Sequence, residues 1–375
     1  MLNAFRMLDS IRGGDGVIAL DDRRAAMAKS VTQTQLTHYE IQKQRRARVV
    51  EEWRNYRTCL IRGADVVLEE CPATRTRRGV YMGADGGVHP TKVLDATLHE
   101  IPAHTTTTVH RHSWDAIMFV TGGSGWTEID GRRIQWKAWD TLHLPAWAWH
   151  RHGNESDLDA RYVSWSVQPM HESLGTAVLE EGGDTSYVDL PKGPETAPPT
   201  GGDDPYGRRL QRMHQQAPRS DDRRLITRFD EITPKVTKRG ARSAFLMDES
   251  IGYRTAGLSA VMHELAPGLW QSKHRHGGEA WLHVIDGHGH SEIEGESYEW
   301  GPDDLVVVDH WAWHQHFNDD KKNTARLIRV HNFDALYDMM RVLLDPMVLF
   351  EEPAQLDAPD VSNVEWPHFQ HGRPQ

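Results

Sequence analysis

Six histidines fall in two copies of one spacing. His110 and His112 are separated by one residue and followed by His150; His274 and His276 are separated and followed by His314 in the same way. Side chains alternate between the two faces of a strand, so an H-x-H pair puts both imidazoles on one face. A third histidine from a neighbouring strand then completes a facial set of three nitrogens. Imidazole suits iron, zinc, copper and nickel, and three protein ligands leave coordination positions open for water, substrate and dioxygen. A lone buried histidine is more often a hydrogen-bonded core residue, but six in a duplicated spacing are hard to read that way. His110, His112 and His150 are therefore candidate metal ligands, and so are His274, His276 and His314.

The spacing belongs to a longer repeat. Displaced by 164 residues, His110–Asn154 aligns without a gap on His274–Asn318, with 18 of 45 positions identical, which chance does not produce. The run closes on Trp147-Ala148-Trp149-His150-Arg151-His152-Gly153-Asn154 against Trp311-Ala312-Trp313-His314-Gln315-His316-Phe317-Asn318. Twelve of the 14 tryptophans lie between Trp114 and Trp165 or between Trp270 and Trp313, so the aromatic residues gather where the histidines do. The chain contains a duplicated domain.

These residues must be held by short antiparallel strands. Gly and Asp-Gly turns recur every few residues, as at Gly122 to Gly125 and Asp130-Gly131, and apolar or β-branched runs such as Ile117–Val120 and Leu305–Val308 lie between them. That pattern predicts an all-β chain of sandwich or barrel domains. The expected organisation is an N-terminal helical extension with leading strands over 1–90, a first β domain over 91–170, a linker over 171–222, a second β domain over 223–335, and a C-terminal helix and tail over 336–375. The stretch Val17–Arg62 has neither Gly nor Pro, and Val49, Trp53, Tyr56 and Leu60 follow helical spacing. Leu336, Met339, Met340, Leu343 and Leu344 mark a second amphipathic helix, ended by Pro346.

Composition narrows the function. A net charge of −11 disfavours a phosphate-binding surface, so no nucleic-acid partner is expected. No run approaches a membrane span, and the first thirty residues hold no apolar signal-peptide core. Two cysteines, Cys59 and Cys71, make neither a disulfide framework nor a thiolate metal site. The expectation is a cytoplasmic protein, without a membrane partner, that holds metal through nitrogen. Apolar flanks outside the β domains suggest a homo-oligomer, dimer or tetramer.

The string Gly268-x5-His274-x-His276, then Gly287 and His314-x3-Asn318, resembles the cupin superfamily, whose members are small jelly-roll barrels holding a metal inside. The first repeat has the same outline, with His104 in place of the leading Gly. The resemblance implies two cupin barrels in tandem, with the N-terminal helical extension and the C-terminal helix outside them. The motif's usual Glu ligand is missing: Asp115-Ala116 and Glu279-Ala280 stand there, and strand parity turns Asp115 and Glu279 out of the barrel, toward solvent or an outer contact.

Three histidines without the Glu, followed by Pro145-x-Trp147-x-Trp149-His150-x-His152-Gly153-Asn154, resemble the gentisate 1,2-dioxygenase group, which includes salicylate and hydroxynaphthoate ring-cleaving enzymes. The resemblance implies Fe(II) on His110, His112 and His150, chiefly in the N-terminal barrel. It also implies insertion of O2 into a hydroxylated aromatic compound (gentisate-, salicylate- or hydroquinone-like), with extradiol-type ring opening. His152 matches a histidine of the family that acts as a base or orients substrate by hydrogen bonding; His316 is its counterpart in the second repeat. In that group an Arg eight residues after the first ligand clamps the substrate carboxylate. Here Met118 and Leu282 hold that place, which leaves a soft apolar wall where the clamp would be. Trp114, at an even offset, is expected to wall the substrate cavity, and Trp149 to pack outside. Arg111 and Arg275 are expected to point outward and form ion pairs, and His283 or His290 to add polar lining to the second barrel. The rival readings are another metal-dependent cupin, namely a β-diketone- or flavonol-type oxygenase or a Zn or Mn isomerase, and a non-catalytic metal- or ligand-binding bicupin.

Overall fold

The computed structural model describes residues 36–55, 58–83, 91, 93–192, 204–216, 223–255, 257–309, 311–332, 351–353 and 357–366. The expected helix around Leu336–Leu344 lies outside them. The chain forms two units, Met1–Tyr56 and Arg57–Gln375. In the first, the helix His38–Asn55 opens on a reciprocal cap. Glu40 N–H donates to Thr37 Oγ1, while Glu40 Oε2 accepts from Thr37 N–H at 2.7 Å. The expected helix ran on to Leu60, but Leu60 starts a strand, Leu60–Ile61.

The second unit contains both repeats, each folded as two facing antiparallel sheets. In the first repeat one sheet runs, in spatial order, Ile226–Thr227, Thr141–Leu144, Ala116–Gly122, Ala160–Ser166, Asp95–Ile101, Thr76–Met82 and Glu69–Cys71. Its opposing sheet is Leu179–Gly183, Val109–His112, His150–Asn154, Ser124–Ile129 and Arg132–Lys137. The second repeat pairs a sheet of Leu60–Ile61, Leu305–Val308, Ala280–Asp286, Ala325–His331, Ser259–Leu265, Arg242–Met247 and Lys235–Val236 with one of Glu296–Trp300, Gly289–Ile293, His314–Asn318, His274–His276 and Glu351–Pro353. The expected all-β architecture is present in both. Part of the stretch read as a linker, Leu179–Gly183, pairs with the histidine strand Val109–His112.

The edge strands are exchanged between repeats. Leu60–Ile61 precedes the first barrel in the chain but completes the second, pairing with Leu305 and Val306. Ile226–Thr227 precedes the second barrel but completes the first, pairing with Thr141 and Leu142. Equivalent aspartates lock both strands. Asp140 accepts from Phe229 N–H and the Arg228 guanidinium, each at 3.0 Å. Asp304 accepts from Gly63 N–H at 2.9 Å and from Arg62 at 2.8 Å.

Strand alternation sorts the apolar residues into two kinds of core. Met118, Val120, Ile129, Trp136, Leu142 and Tyr162 fill the inside of the first barrel, and Leu282, Val284, Ile293, Trp300, Val306 and Leu327 fill the second. The outward faces of the two larger sheets meet in a shared core that includes Ile117, Phe119, Trp165, Leu246, Trp281 and Ile328. Tyr81 crosses this core, its hydroxyl donating to the Asp303 carbonyl at 2.9 Å. Among the described residues no helix is long and apolar enough to cross a membrane.

Candidate metal centre

His110 and His150 face one another across neighbouring strands, as do His274 and His314. His112 and His276 follow two residues on, on the same face. The structure thus gathers His110, His112 and His150 in one barrel and His274, His276 and His314 in the other, with the candidate ligand atoms of each set within 4.8 Å of one another. The ring centroids repeat closely. His110–His150 is 4.4 Å and His112–His150 is 4.8 Å, against 4.2 Å for His274–His314 and 4.9 Å for His276–His314.

Backbone carbonyls fix the tautomers. Nδ1–H of His112 donates to the Trp114 carbonyl at 2.7 Å and that of His150 to Ala148 at 2.9 Å. In the second barrel His274 donates to Ser272 and His314 to Ala312, each at 2.9 Å, and His276 to Gly277 at 3.1 Å. Each of these rings is left with an Nε2 lone pair, the form a metal takes. Burial, reinforced by the neighbouring imidazoles, keeps them unprotonated: His112 is pushed down to about 4, and His150, His274 and His276 well below the ordinary histidine value. Burial likewise lowers His110, and takes His314 to about 4. Neutral imidazoles fit a divalent metal ion in the first barrel; in the second, His276 and His314 keep Nε2 open in the same way, and His274 Nε2 has Arg239 as a neighbour.

His152 lies at the end of a relay. Trp136 Nε1–H donates to Thr127 Oγ1 at 2.9 Å, and Thr127 Oγ1 lies 2.8 Å from His152 Nδ1. The second repeat copies this with Trp300, Ser291 and His316, at 2.9 and 2.7 Å. Thr127 and Ser291 were missed in the sequence, although the hydroxyl common to both was the available signal. Burial, then His110 and His112, pushes His152 down to about 3, so it is neutral near pH 7. That is far from the near-neutral value expected of a base.

Parity applies along the strands and carries no information between them. Met118 is fully buried inside the barrel, as its even offset requires. The chain turns at Ser113–Asp115, between strands Val109–His112 and Ala116–Gly122, and there alternation carries no information. Trp114 consequently lies flat on the His112 ring, centroids 4.6 Å apart, and packs into the shared core. Asp115 is not solvated: it is buried, accepts from Ala146 N–H at 2.7 Å and lies 3.4 Å from His143 Nε2. Glu279 is buried as well. Neither belongs to a histidine set.

Trp149 packs outside the barrel against Val109 and Leu190, with the Arg111 guanidinium 4.5 Å above its ring. Arg111 also pairs with Glu180 at 2.6 Å, and Arg275 stacks on Trp311 and Trp313. His104, in the leading Gly's place, adopts φ 54° where Gly268 has φ 68°, so the turn keeps its left-handed residue at a steric cost. His283 and His290 do not line the second barrel. His283 lies against Tyr81 and Trp165 on the shared-core side, and half-buried His290 pairs with Asp319 at 2.8 Å.

The barrels differ in their cations. Met118 faces Ser164 across the sheet; at the matching register Leu282 faces Arg329. Arg329, Arg239, His263 and Gln271 line the second cavity together with the histidine set and His316. Arg239 NH1 lies 3.1 Å from His274 Nε2. In the first barrel the corresponding positive charge comes from exposed Arg78, opposite His99, and it acts on His99, His110 and Tyr162.

Comparison with known proteins accords with this geometry. The Cupin domain family matches residues 97–166 and 261–331, one match per barrel. The chain is 27% identical over 288 residues to 5-aminosalicylate 1,2-dioxygenase of a Comamonas species, covering 72% of this chain and 74% of that protein. The chain thus carries two cupin domains and is similar to ring-cleaving dioxygenases. It is also 24% identical to 1-hydroxy-2-naphthoate 1,2-dioxygenase of Nocardioides sp. strain KP7, covering 67% of this chain and 66% of that one. The bicupin fold is shared with a salicylate 1,2-dioxygenase variant from Pseudoaminobacter salicylatoxidans solved with gentisate, at TM-score 0.56 and 17% identity, over 86% of this chain and 97% of that one.

Proposed function

We propose that this bicupin is a non-haem Fe(II)-dependent dioxygenase that opens the ring of a hydroxylated aromatic compound with O2, and that it works in the first barrel. The observation that carries the choice of barrel is the Arg239–His274 contact. Both barrels present the same three imidazoles, but among the described residues only the second has a guanidinium on a metal-facing nitrogen. His110, His112 and His150 would hold the iron. When bound, it supplies open positions for a bidentate substrate and dioxygen and the electron transfer that couples them.

The chain's own residues then position the substrate. Trp136 can only donate, so the Thr127 oxygen accepts from the indole, and its own proton is best placed on His152 Nδ1, a better acceptor than Met118 Sδ at 4.0 Å. That sets the His152 proton at Nε2. His152 is thus a hydrogen-bond donor to a substrate oxygen rather than a base, in keeping with its low basicity. Arg78 offers the cation that Met118 cannot, so a carboxylate beside the ring hydroxyl is accommodated at the barrel mouth. Apolar Met118 and Val120 keep water from the barrel interior.

The test is anaerobic Fe(II) reconstitution followed by oxygen uptake with gentisate, salicylate, hydroquinone, catechol and a β-diketone, in wild type, His110→Ala, His274→Ala and Arg78→Met. The expected result is uptake with one hydroxylated aromatic acid, abolished in His110→Ala, retained in His274→Ala and raised in KM in Arg78→Met. No uptake with any compound, despite bound iron, would overturn the reading. Uptake with the β-diketone alone would move the chain to the other oxygenase chemistry.

A further inference from the structure

The C-terminal segment closes on the second barrel where Arg239 meets His274. Asp357 Oδ1 accepts from Lys273 N–H and Oδ2 from Gln315 Nε2, each at 3.2 Å, and its carbonyl accepts from Trp270 Nε1–H at 2.9 Å. These bonds pin the stretch 270–273 at both ends. Within it, Ser272 holds both partners of the guanidinium contact: its N–H donates to the Arg239 carbonyl, and its own carbonyl accepts from His274 Nδ1–H, each at 2.9 Å. Two residues beyond Asp357, buried Pro359 packs on Gly240, the left-handed residue beside Arg239, so closely that a Cβ there would run into its ring. Trp366 then lies 4.9 Å from the Arg242 guanidinium. The segment thus clamps both the turn that carries Arg239 and the stretch that leads into His274. The first barrel has no such contact among the described residues. Arg77 and Arg242 hold equivalent register positions, opposite Glu100 and Glu264, so Thr74 stands where Arg239 does. Arg75, in the place of Gly240, pairs with Asp184 at 2.6 Å.

We propose that the C-terminal segment is an autoinhibitory latch on the second histidine set: Asp357 holds Arg239 on His274 Nε2, and its release opens His274, His276 and His314 to a divalent metal ion. Asp357 bonds to no histidine of the set, so it is a positioning residue that acts through Ser272 and Arg239. Each of its hydrogen bonds is modest alone, but together with Pro359 they fix one geometry of a long side chain that would otherwise sample many. A guanidinium and a metal ion cannot share one Nε2 lone pair, so whatever stabilises the first disfavours the second by the same factor. The latch presupposes that Arg239 guards the second set, and it does not depend on ring cleavage.

The experiment is Zn(II) titration of chelator-treated full-length protein in competition with a chromophoric chelator, with bound metal counted by elemental analysis after desalting. Wild type, Asp357→Ala, Asp357→Asn, Arg239→Gln and the double variant Asp357→Ala with His274→Ala are compared. Wild type is expected to hold about one ion per chain and Asp357→Ala about two, the second bound about 5- to 150-fold more tightly than in wild type, the usual span of coupling between sites. Asp357→Asn, which keeps one side-chain carbonyl acceptor, should fall between. The double variant should return to one ion, which places the gained ion on the second set. The ion kept at His110, His112 and His150 throughout shows that the fold persists, and a merely structural role for Asp357 would lose metal, not gain it. One ion in Asp357→Ala beside two in Arg239→Gln would overturn the latch and leave the guard standing. One ion in both variants, or two in wild type, would remove guard and latch together. A second ion that survives His274→Ala would overturn the latch as well.

Discussion

Arg239 NH1 lies 3.1 Å from His274 Nε2, so a guanidinium occupies the nitrogen that a metal at His274, His276 and His314 would need. The two barrels share their imidazoles and the Trp–hydroxyl–His relay, and among the described residues this contact is found in the second alone. Metal uptake by the second barrel must break a hydrogen bond and bring a dication beside two half-buried guanidiniums, Arg239 and Arg329. Like charges in a low-dielectric cavity make that costly.

Metal content should report this directly. Wild type, loaded with Fe(II) or Zn(II) and desalted, is expected to retain about one ion per chain, removed by His110→Ala and not by His274→Ala. Arg239→Gln should raise retention toward two, because His274 Nε2 is released and one nearby positive charge is gone. Elemental analysis decides it, and two tightly held ions in wild type would show that Arg239 does not guard the second set.

The relay at His152 makes a kinetic prediction. Thr127→Val removes the hydroxyl that bonds His152 Nδ1 at 2.8 Å and leaves Trp136 Nε1–H without its acceptor. A lost bond that orients a site histidine costs about 10–100-fold, and this should appear in kcat with little change in KM. Thr127→Ser should restore most of the rate, since Ser291 makes the same bond in the second barrel. Ser291→Ala should leave turnover unchanged. Equal loss in the Val and Ser variants would remove the hydroxyl from the argument.

Much of this architecture was legible because the chain says it twice. The shared spacing placed all six histidines, and strand alternation placed Met118 inside a barrel. Alternation carries no information at Trp114 and Asp115, because the chain turns there, although Asp115 does make the outer contacts expected of it, to Ala146 and His143. The left-handed turn at His104 was hidden by its side chain and betrayed only by Gly268 in the other copy. Arg239 and Arg329 carried no local signal. Arg239 lies outside the aligned repeat, and Arg329 enters the cavity through long-range pairing with Leu282, which no spacing within one strand records.

The exchanged edge strands were invisible for the same reason, and they predict how the molecule unfolds. Asp140 binds Arg228 and Phe229 N–H, and Asp304 binds Arg62 and Gly63 N–H, so each barrel is closed by a segment that precedes the other. With a shared core as well, the barrels should melt as one unit. Calorimetry should give a single transition for residues 57–375, and Asp140→Ala or Asp304→Ala should each cost about 1–3 kcal/mol while keeping it single. Two resolved transitions in wild type would mean that the exchange does not couple them.

Glu279 provides a pH test that bears on whether it acts as a metal ligand. Burial, then the charge of Asp309, raises its carboxyl to about 8, so it is largely protonated near pH 7. For an acid whose value rises on folding, the associated stability is complete below the unfolded value, near 4.5. It is lost as pH climbs through about 8. Glu279→Gln keeps a neutral group of the same shape, so its melting temperature should gain steadily on wild type between pH 5 and pH 8 and level off above. A ligand carboxylate would behave oppositely, because metal would hold it ionised and pull the inflection down. Adding Zn(II) should therefore leave the wild-type curve's inflection in place; a downward shift would make Glu279 the missing fourth ligand.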